Sequence, residues 1–164
     1  ETFHSVIQRG NKAAINVENI EDSFTDDDCN VLSIQGYKTS VSKEIEEYFF
    51  VYEMTLEVPQ YIVDSEAKRT QGKVKIIIAF PENVEHNNAS YPIFAGLPVT
   101  DLGFKFMINT DWILVTNRES ILENSWNSYL RNTAAKLFTE IVTWDPWINQ
   151  NIHQYFCSRY HAED

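Results

Sequence analysis

Cysteine, glycine and basic residues are all scarce in this chain of 164 residues. The two cysteines, Cys29 and Cys157, lie far apart and have no metal-ligand spacing. They favour free thiols over a disulfide framework, and with them an intracellular setting, cytoplasmic or nuclear. The five glycines stand singly at 10, 36, 72, 96 and 103. That excludes a G-x-G-x-x-G fingerprint and a G-x-x-x-x-G-K-[ST] loop, so the chain is expected to bind no nucleotide tightly by itself. Lys and Arg number 13 against 24 Asp and Glu, for a formal net charge of -11. Phosphate backbones are gripped by clustered Lys and Arg, so nucleic acid is not an expected partner. No apolar run approaches the roughly 20 residues of a membrane helix, so no membrane partner is expected either. The first residues lack the charged, apolar and small-residue order of a signal peptide.

Ligand-like patterns are equally thin. Of the four histidines, only His153 and His161 flank Cys157 at four-residue steps. One helix face rarely makes a zinc site alone, so an incidental surface helix is the reading and no metal is expected. No serine sits in a G-x-S-x-G elbow, and no basic neighbour singles out a cysteine. Carboxylates are plentiful, but no acid/base pair stands out.

Apolar and aromatic residues, by contrast, are abundant: 43% hydrophobic, with 10 Phe, 8 Tyr and 4 Trp. That supplies one domain with a substantial core. Acid is concentrated at Glu18, Glu21, Asp22, Asp26, Asp27 and Asp28. This stretch reads as a solvated loop, with a docking site for a basic partner as the alternative. Residues 1–30 are therefore set apart as an N-terminal segment with an acidic loop, and 31–164 as the body of a single compact domain. Phe3, Val6 and Ile7 have helical spacing within the first part.

Strand signals follow at 31–34, ending near Gly36, and at 48–58, where Phe50, Tyr52, Met54, Leu56 and Val58 share one face. Residues 73–80 begin alternating and become apolar on both faces, as a central strand does. Further strands are expected at 91–97, stopped by Pro98, at 104–108, and at 112–115 after a turn at 109–111. The period then changes. From Ile121 to Val142 apolar residues recur at three- and four-residue steps, predicting a helix of about six turns. Thr116-Asn117-Arg118-Glu119 matches a capping box at its start. Pro146 breaks it, and a second helix is expected over 147–157. The pattern is α+β: a mixed sheet of five or six strands, with C-terminal helices packed on one face.

Arg118 is electrostatically odd at a helix N-terminus, which favours negative charge. An anion there would meet its guanidinium and free N–H groups together.

Two blocks carry a family resemblance. One is Lys73-Val74-Lys75-Ile76-Ile77-Ile78-Ala79-Phe80-Pro81 with Tyr91-Pro92-Ile93-Phe94-Ala95-Gly96-Leu97-Pro98. The other runs from Gly103 to Leu114, then Asn117-Arg118-Glu119-Ser120-Ile121 and Trp126-Asn127-Ser128-Tyr129-Leu130. Over roughly residues 45–142 they resemble the region after the GHKL-type ATP-binding domain in sacsin-like and NO VEIN-like proteins. A weaker similarity reaches the middle domain of the ninety-kilodalton heat-shock chaperone, where a Ser-Arg-Glu heads a long helix.

The resemblance implies a transducer-type fold and a non-autonomous part of a chaperone-like ATPase. Arg118 inherits the arginine that reaches the γ-phosphate of ATP, and Asn117 stands where the family has serine. Glu119 would cap the helix. The implied partners are an adjacent ATP-binding domain and a protein client. ATP and Mg belong to the parent protein, with no cofactor in these residues. The alternative is a non-catalytic interaction module presenting the acidic stretch or an aromatic patch around Trp144 and Trp147. A stand-alone hydrolase using carboxylates is the third reading.

Overall fold

The computed structural model describes residues 2–3, 7, 12–25, 30–41, 47–65, 72–84 and 90–156. Their centre is a seven-stranded sheet in the order β1-β2-β3-β4-β7-β5-β6. The strands are β1 (Ala13–Ile15), β2 (Asn30–Val41), β3 (Glu47–Glu57), β4 (Lys73–Pro81), β5 (Pro92–Ala95), β6 (Leu97–Asp101) and β7 (Met107–Asn109). Neighbours pair antiparallel except β5 and β7, which run parallel, so the sheet is mixed. Among the described residues it is accompanied by the helices α1 (Glu18–Asp22), α2 (Gln60–Asp64), α3 (Ser125–Trp144) and α4 (Pro146–Gln150). A 3-10 turn, Ile152–Tyr155, follows α4. No described helix is long and apolar enough to cross a membrane.

The alternation of side chains along β3 and β4 makes two cores, because successive residues point to opposite faces. Tyr52, Met54 and Leu56 of β3 and Ile76, Ile78 and Phe80 of β4 share one buried cluster with Trp126, Leu130, Leu137 and Ile141 of α3. Phe80 is its aromatic hub, with ring centroids 5.5 Å from Phe106, 5.9 Å from Phe138 and 5.1 Å from Tyr155. Val51, Ile77 and Ala79 turn the other way, joining Tyr37, Phe94 and Met107 beneath Phe3 and Ile7. The α+β architecture, the helices on one face and the centrality of β4 thus follow from the apolar periodicity.

Several boundaries differ, each for a local reason. The strand count exceeds five or six because β1 joins the sheet from a stretch with no clear strand signal, and because 91–97 is two strands. Gly96 turns the chain between them with φ 76°, a value glycine adopts at little cost. Pro98 does not stop a strand; it lies within β6, the edge strand of the sheet, where proline is tolerated. β2 runs through Gly36 instead of ending there. A Cβ at Gly36 would meet Val17 Cγ1 at 2.8 Å, so the glycine lets the segment between β1 and α1 pack closely over β2. Of residues 104–108 only the end enters a strand, β7.

Part of the acidic stretch is helix, not loop. Glu18, Glu21 and Asp22 are exposed on α1, while Ile20 is buried against the main core. Asp26, Asp27 and Asp28 lie outside the described residues, as do Val6, Cys29, Cys157 and His161. The second helix is shorter than 147–157: α4 spans five residues and gives way to the 3-10 turn.

Candidate functional site

The long helix does not open at the Thr116–Glu119 box. Its N-cap is Asn124, whose Oδ1 accepts from the Asn127 N–H at 2.8 Å. Asparagine is among the best N-cap residues, so the sequence did hold the start signal, one segment further on. Residues 113–122 form a hairpin instead of a strand and a first helical turn. The Val115 N–H donates to Ser120 O at 3.0 Å and the Leu122 N–H to Ile113 O at 2.9 Å. Leu114 and Ile121 form an antiparallel bridge. Ile121 and Leu122 continued the helical period by coincidence: they belong to the return limb of this hairpin.

Arg118 sits at the hairpin's tip. Its N–H closes the turn onto Val115 O at 2.9 Å, and its φ is 62°. It is the one non-glycine residue with positive φ among the described residues. This left-handed region disfavours residues with a Cβ, and such outliers collect at functional sites. The side chain is exposed. No ion pair joins Arg118 to a carboxylate among the described residues.

Its neighbours shape the turn. Asn117 Oδ1 accepts from the Glu119 N–H at 3.1 Å, and Asn117 Nδ2 donates to Glu119 Oε2 at 3.1 Å. Asparagine closing on the backbone two residues ahead is ordinary turn chemistry. Glu119 therefore caps no helix, and the anion pocket expected from helical N–H groups is absent at Arg118. What remains is an exposed guanidinium on a tight turn.

Trp126 and Asn127 fix the stem of that hairpin, a role the sequence pattern alone did not disclose. Asn127 is buried in the first turn of α3. Its Oδ1 accepts from the Ile113 N–H at 2.9 Å, and its Nδ2 donates to Ile113 O at 2.7 Å and Leu122 O at 2.6 Å. One carboxamide thus bridges both limbs. Trp126 Nε1 donates to Asp111 O at 2.9 Å, anchoring the approach to the hairpin. The sequence signal was the Trp-Asn pair itself, placed just after an Asn N-cap.

The remaining candidates do not assemble. Among the described residues no three His, Cys, Asp or Glu side chains gather in a way that could hold a metal ion. His153 lies on the 3-10 turn. Trp144 is 46% exposed, and its Nε1 donates to Glu140 Oε2 at 3.1 Å. Trp147 packs on Phe50, ring centroids 4.9 Å apart, so it belongs to the core margin more than to a free aromatic patch.

Fold and hairpin together define an α+β domain with a mixed seven-stranded sheet, helices on one face, and an arginine-tipped turn clamped to the longest of them. No protein-family model matches the chain, and no solved structure matches it. The chain is similar to Protein NO VEIN of Arabidopsis thaliana, with 42% identity over 52 residues. Those residues are 31% of this chain and 2% of that protein, so the chain matches a small part of a far longer relative.

Proposed function

We propose that this chain is the middle, transducer-like part of a chaperone-like GHKL ATPase, and that Arg118 contacts the phosphates of ATP held by a neighbouring domain. The observation that carries the reading is the backbone of Arg118: an exposed arginine kept at φ 62° on a turn whose stem is bridged by a buried asparagine. The resemblance of residues 45–142 to the region after the ATP-binding domain in sacsin-like and NO VEIN-like proteins supports it. So does the partial similarity to Protein NO VEIN.

The chemistry required of this chain is limited. ATP with Mg, bound by the neighbouring domain, would supply the scissile phosphoanhydride and most of the charge to be neutralised. Arg118 would add a planar, permanently charged donor fork that matches phosphate oxygens. Asn117 and Glu119 set the turn from which it projects, and Asn127 holds the stem. An arginine supplied from outside a nucleotide pocket is worth about 10³–10⁵ in turnover in well-studied GTPases.

The test is Arg118→Ala in the full-length protein, followed by ATP turnover and by a thermal melt of the same sample. Turnover should fall at least tenfold with the melt unchanged. Undiminished turnover in a folded variant would sink the reading.

A second reading is favoured by α1. Its Glu18, Glu21 and Asp22 are exposed on the side away from buried Ile20, which suits a non-catalytic module docking a basic protein partner. A neighbouring domain lacking an intact nucleotide pocket would favour this reading over the first.

A further inference from the structure

The two faces of the sheet are covered unequally among the described residues. The main core lies under α3, a helix of 20 residues. The opposite face presents Val51, Ile77, Ala79, Phe94 and Met107, and the side chains of Phe3 and Ile7 pack against it. Both are deeply inserted: Phe3 is 3% exposed and Ile7 4%.

Phe3 is the anchor. Its ring meets Phe94 edge to face, centroids 5.4 Å apart and planes at 65°, a preferred geometry for an aromatic pair. Its N–H donates to Gly96 O at 2.8 Å. The Ile7 N–H donates to Phe3 O at 3.1 Å, so the two side chains stand one helical turn apart. An aromatic anchor with an aliphatic residue four places on, laid against an apolar surface, is how an amphipathic helix occupies a groove. The Phe94–Met107 surface therefore holds a peptide-like occupant.

The attachment is that of a ligand more than of a core element. The acceptor of the Phe3 N–H belongs to Gly96, an exposed residue at the turn between β5 and β6, where water competes for the bond. Fixing a segment that supplies two side chains costs backbone entropy of the same order as their burial returns. Its release leaves β3 paired with β4 and packed under α3, so opening is a local event.

We propose that the Phe94–Met107 surface is an exchangeable docking site for a short helical segment carrying phenylalanine and an aliphatic residue four positions later. The chain's own Phe3 and Ile7 are its resident occupant, and a partner protein's segment of the same pattern replaces them. The site lies on the sheet face opposite α3 and is independent of any role of Arg118 in ATP turnover.

The chain has two methionines, and each reports on one face. Met107 belongs to this site and Met54 to the main core, so methyl-¹³C labelling follows both at once. Phe3→Ala combined with Ile7→Ala should vacate the site, moving the Met107 resonance and leaving that of Met54 in place. A synthetic peptide of residues 1–10 should then return Met107 saturably toward its wild-type position. A tethered segment acts at an effective concentration in the millimolar range, so a resident occupant must bind with a Kd below about 1 mM. The same peptide carrying Phe3→Ala should bind about tenfold more weakly or worse, as loss of an aromatic anchor dictates. The wild-type chain should also take up the unaltered peptide about tenfold more weakly than the double variant does, because its own segment competes. The proposal is overturned by no saturation at about 1 mM, by equal binding of the two peptides, or by equal binding to the two chains. Loss of the native Met54 resonance in the double variant would make the segment part of the fold and overturn it as well. Recovery of Met107 on adding unlabelled wild-type chain at the peptide's concentration would give the site to a second copy and overturn the assignment to a partner.

Discussion

The Tyr52 hydroxyl donates a hydrogen bond to Asp145 Oδ2, joining the middle of β3 to the junction of α3 and α4. The other carboxylate oxygen, Oδ1, accepts from the Trp147 and Ile148 N–H groups at 2.9 and 3.0 Å. Asp145 is thus both the N-cap of α4 and the buried partner of a core tyrosine, with Pro146 suited to the first helical position behind it. The pair fixes where the helical layer turns over the sheet.

Removing either partner should therefore destabilise the fold. Tyr52→Phe keeps the ring and the cap but takes one hydrogen bond from a buried carboxylate, at a cost of about 1–3 kcal/mol. Asp145→Ala loses the cap and strands the buried hydroxyl together, so about 2–4 kcal/mol is expected. Urea titration of the three chains, with an unchanged slope, checks both the order and the size.

The same tyrosine sets an alkaline limit. Burial, then the hydrogen bond to Asp145 and its charge, hold the Tyr52 phenol well above its ordinary value of 10.0. Burial, then the charges of Asp145 and Glu82, raise Tyr155 as well. Tyr91 is pushed up to about 12 by burial and by Glu47. A phenol raised on folding keeps its proton in the native chain while the unfolded chain loses it. Its stabilisation is complete below pH 10 and is lost as pH rises through the folded value. The urea midpoint should hold up to about pH 10 and fall beyond it. In Tyr52→Phe that alkaline decline should be shallower.

Periodicity carried the sequence reading where burial is one-sided, and failed where a short element is set by a single side chain. The shared face of Tyr52, Met54 and Leu56 was legible because β3 packs α3 on that face. The doubly buried β4 was legible because apolar residues fill both of its faces. The start of α3 was misread because Ile121 and Leu122 fall in step with the helix while belonging to a hairpin limb. The Thr116–Glu119 pattern pointed to a cap one segment too early, while Asn124 caps the helix locally and Asn127 holds the hairpin through contacts that only the folded chain makes. Arg118 itself was singled out for its charge, whereas its left-handed backbone was beyond sequence reasoning. Trp112, a buried residue whose indole N–H has no hydrogen-bond partner among the described residues, carried no sequence signal of this, since a tryptophan in an apolar stretch looks the same with or without an acceptor.

Asn127 offers the sharpest structural test of the hairpin. Asn127→Asp keeps the shape and the Oδ1 acceptor but replaces two donated bonds, to Ile113 O and Leu122 O, with repulsion between oxygens. A loss of about 2–4 kcal/mol is expected, the order of a buried group left unsatisfied. Asn127→Ala should cost a similar amount and also free the Ile113 N–H. Hydrogen exchange at Ile113 and Leu122 should accelerate at least tenfold more than at β4 amides. Uniform acceleration across the chain would mean that the asparagine serves the whole fold and not the hairpin.

Arg118→Gly separates the backbone from the guanidinium. At φ 62° an arginine pays for its Cβ and a glycine does not. The exposed side chain contributes no ion pair among the described residues, so little is lost with it. Two terms then oppose each other: relief of about 1 kcal/mol of left-handed strain, and a glycine's greater freedom in the unfolded chain. The net expectation is stability unchanged or raised by up to about 1 kcal/mol. Arg118→Val, branched at Cβ and held in the same region, should instead lose about 1–2 kcal/mol. Urea midpoints of the two variants check the sign. The glycine variant then gives the full-length protein a native hairpin without its charge, so a fall in ATP turnover there cannot be blamed on misfolding. If Arg118→Gly is the less stable of the two, the turn owes its shape to the arginine side chain and the residue is structural.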